Sequence, residues 1–366
     1  MYLSEIKIQS FKNIESLDCT FSEGTQCIFG ENGAGKTNLL DAIYYLGMTK
    51  SAFSNGENLT FKFGSDFFRI KGIFSNQGEN NEITCAMRQG EKKIVKYGGI
   101  EYSKLSAHIG KFPLVLISPD DSEMIDGVSG IRRKFFDTIL CQIDSEYMED
   151  LIIYNHILKQ RNALLKVFYE NNKLDHAQIE PYNKILSEKN TRISTRRITF
   201  LNEFLPYFIK SYSFLTSEKE IVNIEYSSKS GFENFELQLQ LCLQKDIALQ
   251  RTTIGIHTDE FDYYSNNNLV KKTGSQGQKK SFLVALKLAN FEILYHHKQT
   301  KPILLLDDIF DKLDDARIFK LIKLINNQTF GQVFITDARP ERSLQLMRTL
   351  NQAPTTFMLQ NGKLIN

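Results

Sequence analysis

The sequence predicts an α/β domain that is built from both ends of the chain and interrupted by an inserted, mostly helical second domain. Three observations lead to this fold class. Short β-rich runs fill the first part of the chain, apolar residues recur at three- and four-residue steps in the middle, and strands alternate with helices again near the end. We therefore assign residues 1–120 and 251–366 to one domain and residues 121–250 to the insertion.

The composition is that of an ordinary globular protein. The chain has 366 residues, of which 42% are hydrophobic and 24% charged, so two domains are expected. The net charge of +2 creates no general attraction for nucleic acid, so any DNA-binding surface must be local. No apolar run is long enough to span a bilayer, and Glu5 and Lys7 interrupt any signal peptide. The five scattered cysteines indicate reduced thiols, and we expect a cytoplasmic protein without a membrane partner.

The elements follow from the hydrophobic pattern. Strands are predicted over residues 2–8, 26–29, 67–74, 82–87 and 93–97, and residues 114–117 form a short apolar run that ends at Ser118 and Pro119. Long amphipathic helices are predicted around residues 136–158 and 185–208, followed by a strand at 221–226 and a helix at 232–244. A βαβ-like unit is predicted around residues 301–335.

A phosphate-binding loop is predicted at residues 30–37, which read GENGAGKT and match G-x-x-x-x-G-K-[ST]. A strand precedes the motif and a helix follows it, and this context argues against a simple glycine-rich turn. Glycines let successive N–H groups face a phosphate, and the helix start adds its positive dipole end. We expect the bound nucleotide to be ATP. The predicted ATP-binding residues are Gly30, Glu31, Asn32, Gly33, Ala34, Gly35, Lys36, Thr37 and Asn38.

An acidic pair follows a run of four apolar residues that suits a buried parallel strand. We expect Thr37 and Asp307 to hold Mg²⁺ and Asp308, with Lys36, to be catalytic. Taken alone, the run could equally be a strand with an acidic turn. Asp307 follows Thr37 by 270 positions, so the two can share a metal only if the middle of the chain is an insertion.

A second anion site is predicted at residues 274–280, which read GSQGQKK and precede a strong helical pattern. Ser275 can cap that helix, and Gly277 allows close backbone approach. Lys279 and Lys280 oppose the helix dipole by ~0.3–1 kcal/mol each, a conflict that an arriving anion would remove. A simple serine-capped helix is the alternative.

The segment S-x-G-Q resembles the signature of ABC-type ATPases, and the order of the three motifs is that of this class. The resemblance implies an ATP-dependent homodimer in which the signature of one subunit contacts the nucleotide of the other. It assigns this contact in trans to Ser275, Gln276, Gly277 and Gln278, and it makes Asp314 a D-loop residue at the dimer interface. Asp308 stands where many ABC proteins carry a catalytic glutamate.

Further motifs resemble the RecF family over nearly the whole chain. They are FKN at residues 11–13, KSAF at 50–53, PDD at 119–121, the stretch from Gly127 to Asp137, and GIHTDE at 255–260. Lys12 and Asn13 would then lie beside the nucleotide. The chain departs from the family pattern at Ser54, Ile256, Thr258 and Glu260. No glutamine stands at the Q-loop position of ABC proteins, which fits the RecF pattern. No switch histidine follows residues 333–336, which argues against a γ-phosphate sensor of the ABC-transporter kind.

This resemblance implies an ATP-dependent DNA-binding protein of recombinational DNA repair and replication, linked to the SOS response. It would be a nucleotide-gated dimeric clamp with slow ATPase activity, acting at gapped or single-strand/double-strand DNA. RecR would be a partner, with RecO and RecA in the same pathway. The alternative is an ATPase subunit of an ABC transporter, or another ABC-type ATPase that does not act on DNA.

Two basic clusters are candidates for contact with DNA. Lys189, Arg192 and Arg196 share a face of the second predicted long helix, with Arg197 adjacent, and residues 132–134 form another cluster. A solvated helix face explains many such runs equally well.

Overall fold

The computed structural model describes residues 1–54, 56–76, 78–216, 220–228, 234–309, 315–326, 329–349 and 354–365. The chain folds as two compact units. We call residues 1–121 and 284–366 the split unit, and residues 122–283 the inserted unit. Sheets and helices are both extensive, which confirms the predicted α/β class. Within the described ranges, no helix combines the length and apolar character needed to cross a bilayer.

The described strands are β1 (Tyr2–Phe11), β2 (Ile14–Thr20), β3 (Thr25–Phe29), β4 (Phe67–Asn76), β5 (Glu79–Arg88), β6 (Ile94–Tyr97), β7 (Ile100–Glu101), β8 (Leu114–Ile117), β9 (Val222–Ser227), β10 (Glu260–Ser265), β11 (Asn268–Leu269), β12 (Ile303–Leu306), β13 (Val333–Asp337), β14 (Thr355–Gln360) and β15 (Lys363–Ile365). The described helices are α1 (Lys36–Met48), α2 (Glu123–Asp126), α3 (Ser129–Ile143), α4 (Ser145–Asn171), α5 (His176–Leu215), α6 (Phe235–Leu241), α7 (Leu243–Leu249), α8 (Val270–Thr273), α9 (Gln276–Lys298), α10 (Asp315–Asn326) and α11 (Pro340–Thr349). Strands β2, β7, β10, β11, β14 and β15 were not individually predicted.

The main sheet of the split unit has the order β15-β14-β3-β13-β12-β8. All its pairs except β14–β15 are parallel. Every residue of β3, β8, β12 and β13 is buried, which explains the wholly apolar sequences of β8 and β12. The carboxyl ends of parallel strands meet at one sheet edge, so the residues that follow β3, β8, β12 and β13 gather there.

The second sheet of the split unit is antiparallel, with the order β2-β1-β4-β5-β6-β7. Burial alternates along β4, so one face of this sheet enters the core. Helix α1 packs against strands of both sheets, and Leu39 and Ile43 belong to the same core as Ile28. At Gly72, a Cβ atom would come within 2.4 Å of the end of the Leu46 side chain, so a larger residue here would displace that side chain of α1. This packing fixes the helix that follows the phosphate loop.

The inserted unit contains the long helices α4 and α5 and the small sheet β11-β10-β9. The helix predicted across residues 136–158 is divided in the structure. Helix α3 ends at Ile143, and the Asp144 side chain accepts a hydrogen bond from the backbone of Tyr147 at 2.9 Å, which caps α4. The helix predicted at 232–244 divides similarly into α6 and α7 at Cys242, and residues 232 and 233 lie outside the described ranges.

The predicted domain boundary at residue 250 is wrong, because the inserted unit continues to residue 283. Strand β10 pairs along its whole length with β9, so the segment after residue 250 completes the sheet of the insertion. In addition, the buried guanidinium of Arg161 donates to Asp246 at 2.7 Å and to the Thr252 hydroxyl at 2.8 Å. Long-range pairing of this kind has no local sequence signal.

Candidate nucleotide site

The backbone of residues 30–37, the phosphate loop, requires glycine at particular positions. Gly33 and Gly35 have φ values of 83° and 106°, in the left-handed region that most side chains avoid. A Cβ atom on Gly30 would lie 2.3 Å from the carbonyl oxygen of Leu359, so that position tolerates no side chain. The Gly362 N–H donates to the Ala34 carbonyl at 2.8 Å, which fixes the loop against the turn between β14 and β15.

The side chain of Lys36 is buried, and its ammonium group lies against the backbone of the phosphate loop. Its Nζ donates to the carbonyl oxygens of Gly30 at 3.0 Å and Glu31 at 3.3 Å. Helix α1 begins at the same residue, so free N–H groups of its first turn point toward the loop. The ammonium group and the helix end together favour a phosphate group.

Asn13 and Asn38 brace the loop from one side. Asn13 donates to the Gly33 carbonyl at 3.0 Å, and Asn38 donates to the Asn13 side chain at 2.7 Å. Lys12, by contrast, forms an ion pair at 2.7 Å with Asp41, which is fully buried. The Lys12 charge is therefore neutralised within the protein, which leaves less of it for a nucleotide than the sequence predicted.

The structure brings Thr37 and Asp307 together at the carboxyl edge of the main sheet. The Thr37 hydroxyl lies 3.0 Å from both carboxylate oxygens of Asp307. Burial raises the pKa of Asp307 above its ordinary value, and the hydroxyl donors oppose this shift. A carboxylate and a hydroxyl are hard oxygen ligands, and a bound cation would offset the cost of the buried charge, so the residues fit Mg²⁺.

Asp308 follows directly and adopts a left-handed backbone, with φ of 42°. Its N–H donates to the hydroxyl of Thr336 at 3.0 Å, and the same hydroxyl donates to Asp307 at 2.8 Å. Sequence reasoning did not identify Thr336, because a threonine at the end of a strand carries no recognisable motif. Asp314, the predicted D-loop residue, lies outside the described residues.

The signature segment, Ser275 to Gln278, lies in the inserted unit and forms a capping box. The Ser275 N–H donates to the Gln278 side-chain oxygen at 2.8 Å, and the Gln278 N–H donates to the Ser275 hydroxyl at 3.2 Å. The hydroxyl accepts in this bond, so its own hydrogen remains available to an anion. Gln276 and Gly277 form the first turn of α9. The Gln278 amide also donates to Glu220 at 3.0 Å, a contact without a sequence signal.

The expected conflict between two lysines and the α9 dipole is smaller than predicted. Lys279 forms an ion pair with Asp126 at 2.7 Å, so its charge is balanced within the inserted unit. Lys280 is half-buried and is the fifth residue of α9, just beyond its first turn. The argument for an anion at this helix end therefore depends on Lys280 and on the Ser275 hydroxyl.

Arg197 is not a DNA-contact residue, which corrects the prediction. Its guanidinium is fully buried and donates to both oxygens of Asp137 at 3.0 and 2.9 Å, and to the Ile256 carbonyl at 2.9 Å. Arg132 and Arg133 are similarly engaged, with Glu260 at 2.9 Å and with the carbonyl of Asp259. These arginines hold the inserted unit together.

The remaining predicted DNA contacts, which we call the cation row, are Lys189, Arg192 and Arg196. All three form ion pairs with Asp150, at 3.0, 3.1 and 3.5 Å. Further pairs involve Asp144, Glu146 and Glu188. Four acids thus surround three cations, so the face has no positive excess and is poorly suited to a phosphate backbone.

The segment at residues 255–260 is also structural. A Cβ atom on Gly255, with φ of 118°, would come within 2.4 Å of the Tyr154 hydroxyl. That hydroxyl contacts His257 Nδ1 at 2.8 Å, while His257 Nε2 lies 3.0 Å from the Thr252 carbonyl. Burial lowers the pKa of His257, and the carbonyl contact makes Nε2 the protonated nitrogen.

Comparison with known proteins adds the family context for this geometry. The chain matches the family model described as RecF/RecN/SMC N terminal domain over residues 2–363. It is 41% identical over 359 residues to a DNA replication and repair protein RecF of Flavobacterium johnsoniae, covering 98% of this chain and 100% of that relative. A protein of the same name from Cytophaga hutchinsonii is 40% identical, covering 99% of this chain and 96% of the relative.

A solved structure described as the recombination mediator protein RecF-ATPrS in the RecFOR pathway has the same fold. It superposes with a TM-score of 0.89 at 29% identity, covering 99% of this chain and 97% of that chain. An Smc head domain from Pyrococcus furiosus, at 17% identity and a TM-score of 0.55, is similar in fold alone.

Proposed function

The chain belongs to the RecF family, and from that premise we propose a nucleotide-gated clamp on DNA. It is an ATP-binding protein of DNA replication and repair, with the ATPase fold of the ABC/SMC type. The observation that carries the proposal is the meeting of Thr37 and Asp307 beside a phosphate loop with a buried lysine. A transporter subunit is not favoured, because the similar full-length proteins are named for DNA replication and repair.

The substrate is ATP, bound with its phosphates over residues 30–37. Lys36 would contact the β- and γ-phosphates and stabilise charge that develops on them during phosphoryl transfer. Thr37 and Asp307 would hold Mg²⁺, which neutralises phosphate charge when bound. Asp308 lies one residue beyond Asp307 at the same strand end, where its carboxylate can orient the attacking water and accept its proton.

The proposed assembly is a symmetric homodimer that forms with ATP. The Ser275 hydroxyl retains a hydrogen to donate, and Lys280 supplies a cation near the start of α9. In the dimer these groups would face the γ-phosphate held by the other copy. Hydrolysis removes negative charge from that contact, so the dimer would open after turnover and release DNA. Two copies must close first, which predicts slow hydrolysis.

The proposed site of action is gapped DNA or a single-strand/double-strand junction in the cytoplasm. RecR is the proposed direct partner, with RecO and RecA in the same pathway. These assignments rest on family membership. Within this chain, the feature that supports them is the ATP site, because ATP binding would control the contact with DNA.

The decisive experiment measures mass and DNA binding together. Light scattering of the parent and of Asp308→Asn, with and without ATP and Mg²⁺, should give a monomer without nucleotide and a dimer with it. Binding to duplex, single-stranded and gapped DNA should then increase with ATP. An unchanged mass for Asp308→Asn at saturating ATP would refute the proposed dimer.

A matched pair of variants tests the contact in trans. Ser275→Arg should leave ATP binding by the monomer intact but abolish the dimer, because a bulky cation fills the space meant for phosphate. Thr273→Arg adds the same charge at an exposed position two residues away and should retain the dimer. If Ser275→Arg instead abolishes ATP binding by the monomer, Ser275 acts within its own subunit and the assembly is wrong.

A further inference from the structure

Thr336 lies at the end of β13, the strand that separates β12 from β3 in the main sheet. Its side chain is fully buried. The hydroxyl donates to Asp307 Oδ1 at 2.8 Å and accepts the N–H of Asp308 at 3.0 Å. One hydroxyl group therefore contacts both adjacent acids of the site.

We infer that Thr336 is a positioning residue for phosphoryl transfer, because its single hydroxyl orients the Asp307 carboxylate and fixes the backbone of Asp308. The inference deepens the proposed function and rests on it. Thr336 is not placed in contact with substrate; it acts through the two aspartates.

The direction of both hydrogen bonds follows from their chemistry. A backbone N–H can only donate, so the Thr336 oxygen must accept from Asp308. The only hydrogen of the hydroxyl is then free to donate to the Asp307 carboxylate, which can only accept when ionised. The two bonds are thus mutually compatible, and no other arrangement of the same three groups satisfies all of them.

The contact holds Asp308 in a left-handed backbone, with φ of 42°, a region that aspartate enters more readily than most residues but that still costs energy outside glycine. The direction of the Asp308 side chain depends on that backbone conformation. If the N–H lost its partner, the residue could relax toward the ordinary right-handed or extended regions. The carboxylate would then leave the position from which it orients water.

The Thr336 hydroxyl is separate from the bonds that hold the sheet. Thr336 pairs with Ile28 of β3 through the parallel backbone ladder, and its hydroxyl takes no part in that pairing. Valine has nearly the same shape and a high β-propensity. Replacing the hydroxyl by a methyl group should therefore leave the strand in place while it removes both contacts.

The test compares Thr336→Val, which removes the hydroxyl, with Thr336→Ser, which keeps it. For Thr336→Val we expect kcat to fall about tenfold or more, while KM for ATP changes less than about threefold, because the lost interaction serves the transition state. Thr336→Ser should recover kcat to within about threefold of the parent, since the same hydrogen bonds can form.

Two further readouts do not depend on turnover. Amide hydrogen exchange at Asp308, measured without nucleotide, should be faster in Thr336→Val and close to the parent in Thr336→Ser. With an ATP analogue that is not hydrolysed, the Mg²⁺ concentration that gives half-maximal thermal protection should rise in Thr336→Val only. A purely structural role would change melting temperature without this dependence on Mg²⁺.

The inference is overturned if Thr336→Val matches the parent in kcat and in Asp308 exchange, or if Thr336→Ser is as impaired as Thr336→Val. If Thr336→Val does not fold, Thr336→Ala takes its place in the same comparison. Failure of the proposed function would be seen in a different variant. In that case Lys36→Ala would retain ATP binding, whatever the Thr336 variants show.

Discussion

Lys36 in the split unit and Arg197 in the inserted unit are both buried cations, yet their surroundings differ in kind. Lys36 contacts two neutral carbonyl oxygens, and among the described residues it forms no ion pair. Arg197 donates to both oxygens of Asp137 and lies 3.7 Å from a carboxylate oxygen of Asp259. Lys36 also acts on Asp307, because burial raises the pKa of this acid and the Lys36 charge opposes that shift without forming an ion pair. Burying a charge without an ion pair is costly, so the difference indicates that Lys36 can accept an anionic ligand, whereas Arg197 is already neutralised.

Removing the neutralised cation should cause the largest change. We expect Arg197→Met to lower the free energy of unfolding by about 3–5 kcal/mol, because Asp137 would be left partly buried without its partner. Urea denaturation at pH 7 measures the effect. Arg196→Met is the matched control, and its half-exposed ion pairs should contribute less than about 1 kcal/mol. Equal losses for both variants would contradict the assigned difference between the two arginines.

The second prediction concerns the unbalanced cation. Lys36→Ala should weaken ATP binding about 100-fold, since a charged hydrogen-bond donor is lost where phosphate is expected. Stability without nucleotide should change little, because no ion pair is broken and the Asp307 carboxylate loses only a longer-range attraction. Calorimetric titration with ATP and Mg²⁺ gives the affinity. Lys62→Ala, at a surface lysine paired with Glu15, should bind ATP as the parent does. If Lys36→Ala bound ATP as tightly as the parent, Lys36 would not be a phosphate-binding cation and its contrast with Arg197 would be wrong.

A third prediction tests whether the buried carboxylate of Asp307 lowers the stability of the nucleotide-free protein. Burial raises the pKa of Asp307, so ionisation of this group opposes folding at pH values above its raised pKa. Asp307→Asn should therefore stabilise the nucleotide-free protein by about 1 kcal/mol at pH 7. The gain should disappear as the pH falls through the raised pKa toward the ordinary value of 3.8. A variant less stable than the parent at pH 7 would show that the hydroxyl donors outweigh burial.

The smallest effect is expected on the cation row. Replacing Lys189, Arg192 and Arg196 together by glutamine should change ATP-dependent DNA affinity less than about twofold, because the neighbouring acids already neutralise these cations. Titration of fluorescent gapped DNA at fixed salt measures this. A tenfold loss of DNA affinity would contradict this expectation and would indicate that the cation row contacts DNA.

The surroundings of Lys36 were predictable from the sequence, whereas those of Arg197 were not. The phosphate loop was identifiable because its glycines, Lys36 and Thr37 are required by local backbone geometry at fixed spacing. The place of Asp307 followed from the rule that parallel strands present their carboxyl ends together. The helical spacing placed Arg196 on one face of α5 with Lys189 and Arg192. It could not show that the adjacent Arg197 is buried and paired with Asp137 on another helix.

Other features lacked any local signal. The continuation of the inserted unit to residue 283 depends on the pairing of β10 with β9. Thr336 and Glu220 are common residues whose roles arise only from their neighbours in space. The break between α3 and α4 was different, because Asp144 before a helical run is a recognisable N-cap that the hydrophobic periodicity concealed.

The phosphate loop depends on residues made much later during synthesis. Strand β14 pairs with β3, the Leu359 carbonyl packs against Gly30, and the Gly362 N–H binds the Ala34 carbonyl. A nascent chain that has not yet released residues 355–362 from the ribosome therefore cannot complete its nucleotide loop. Chains cut short before that strand should be unable to capture ATP, so an unfinished protein is kept inactive by its own topology.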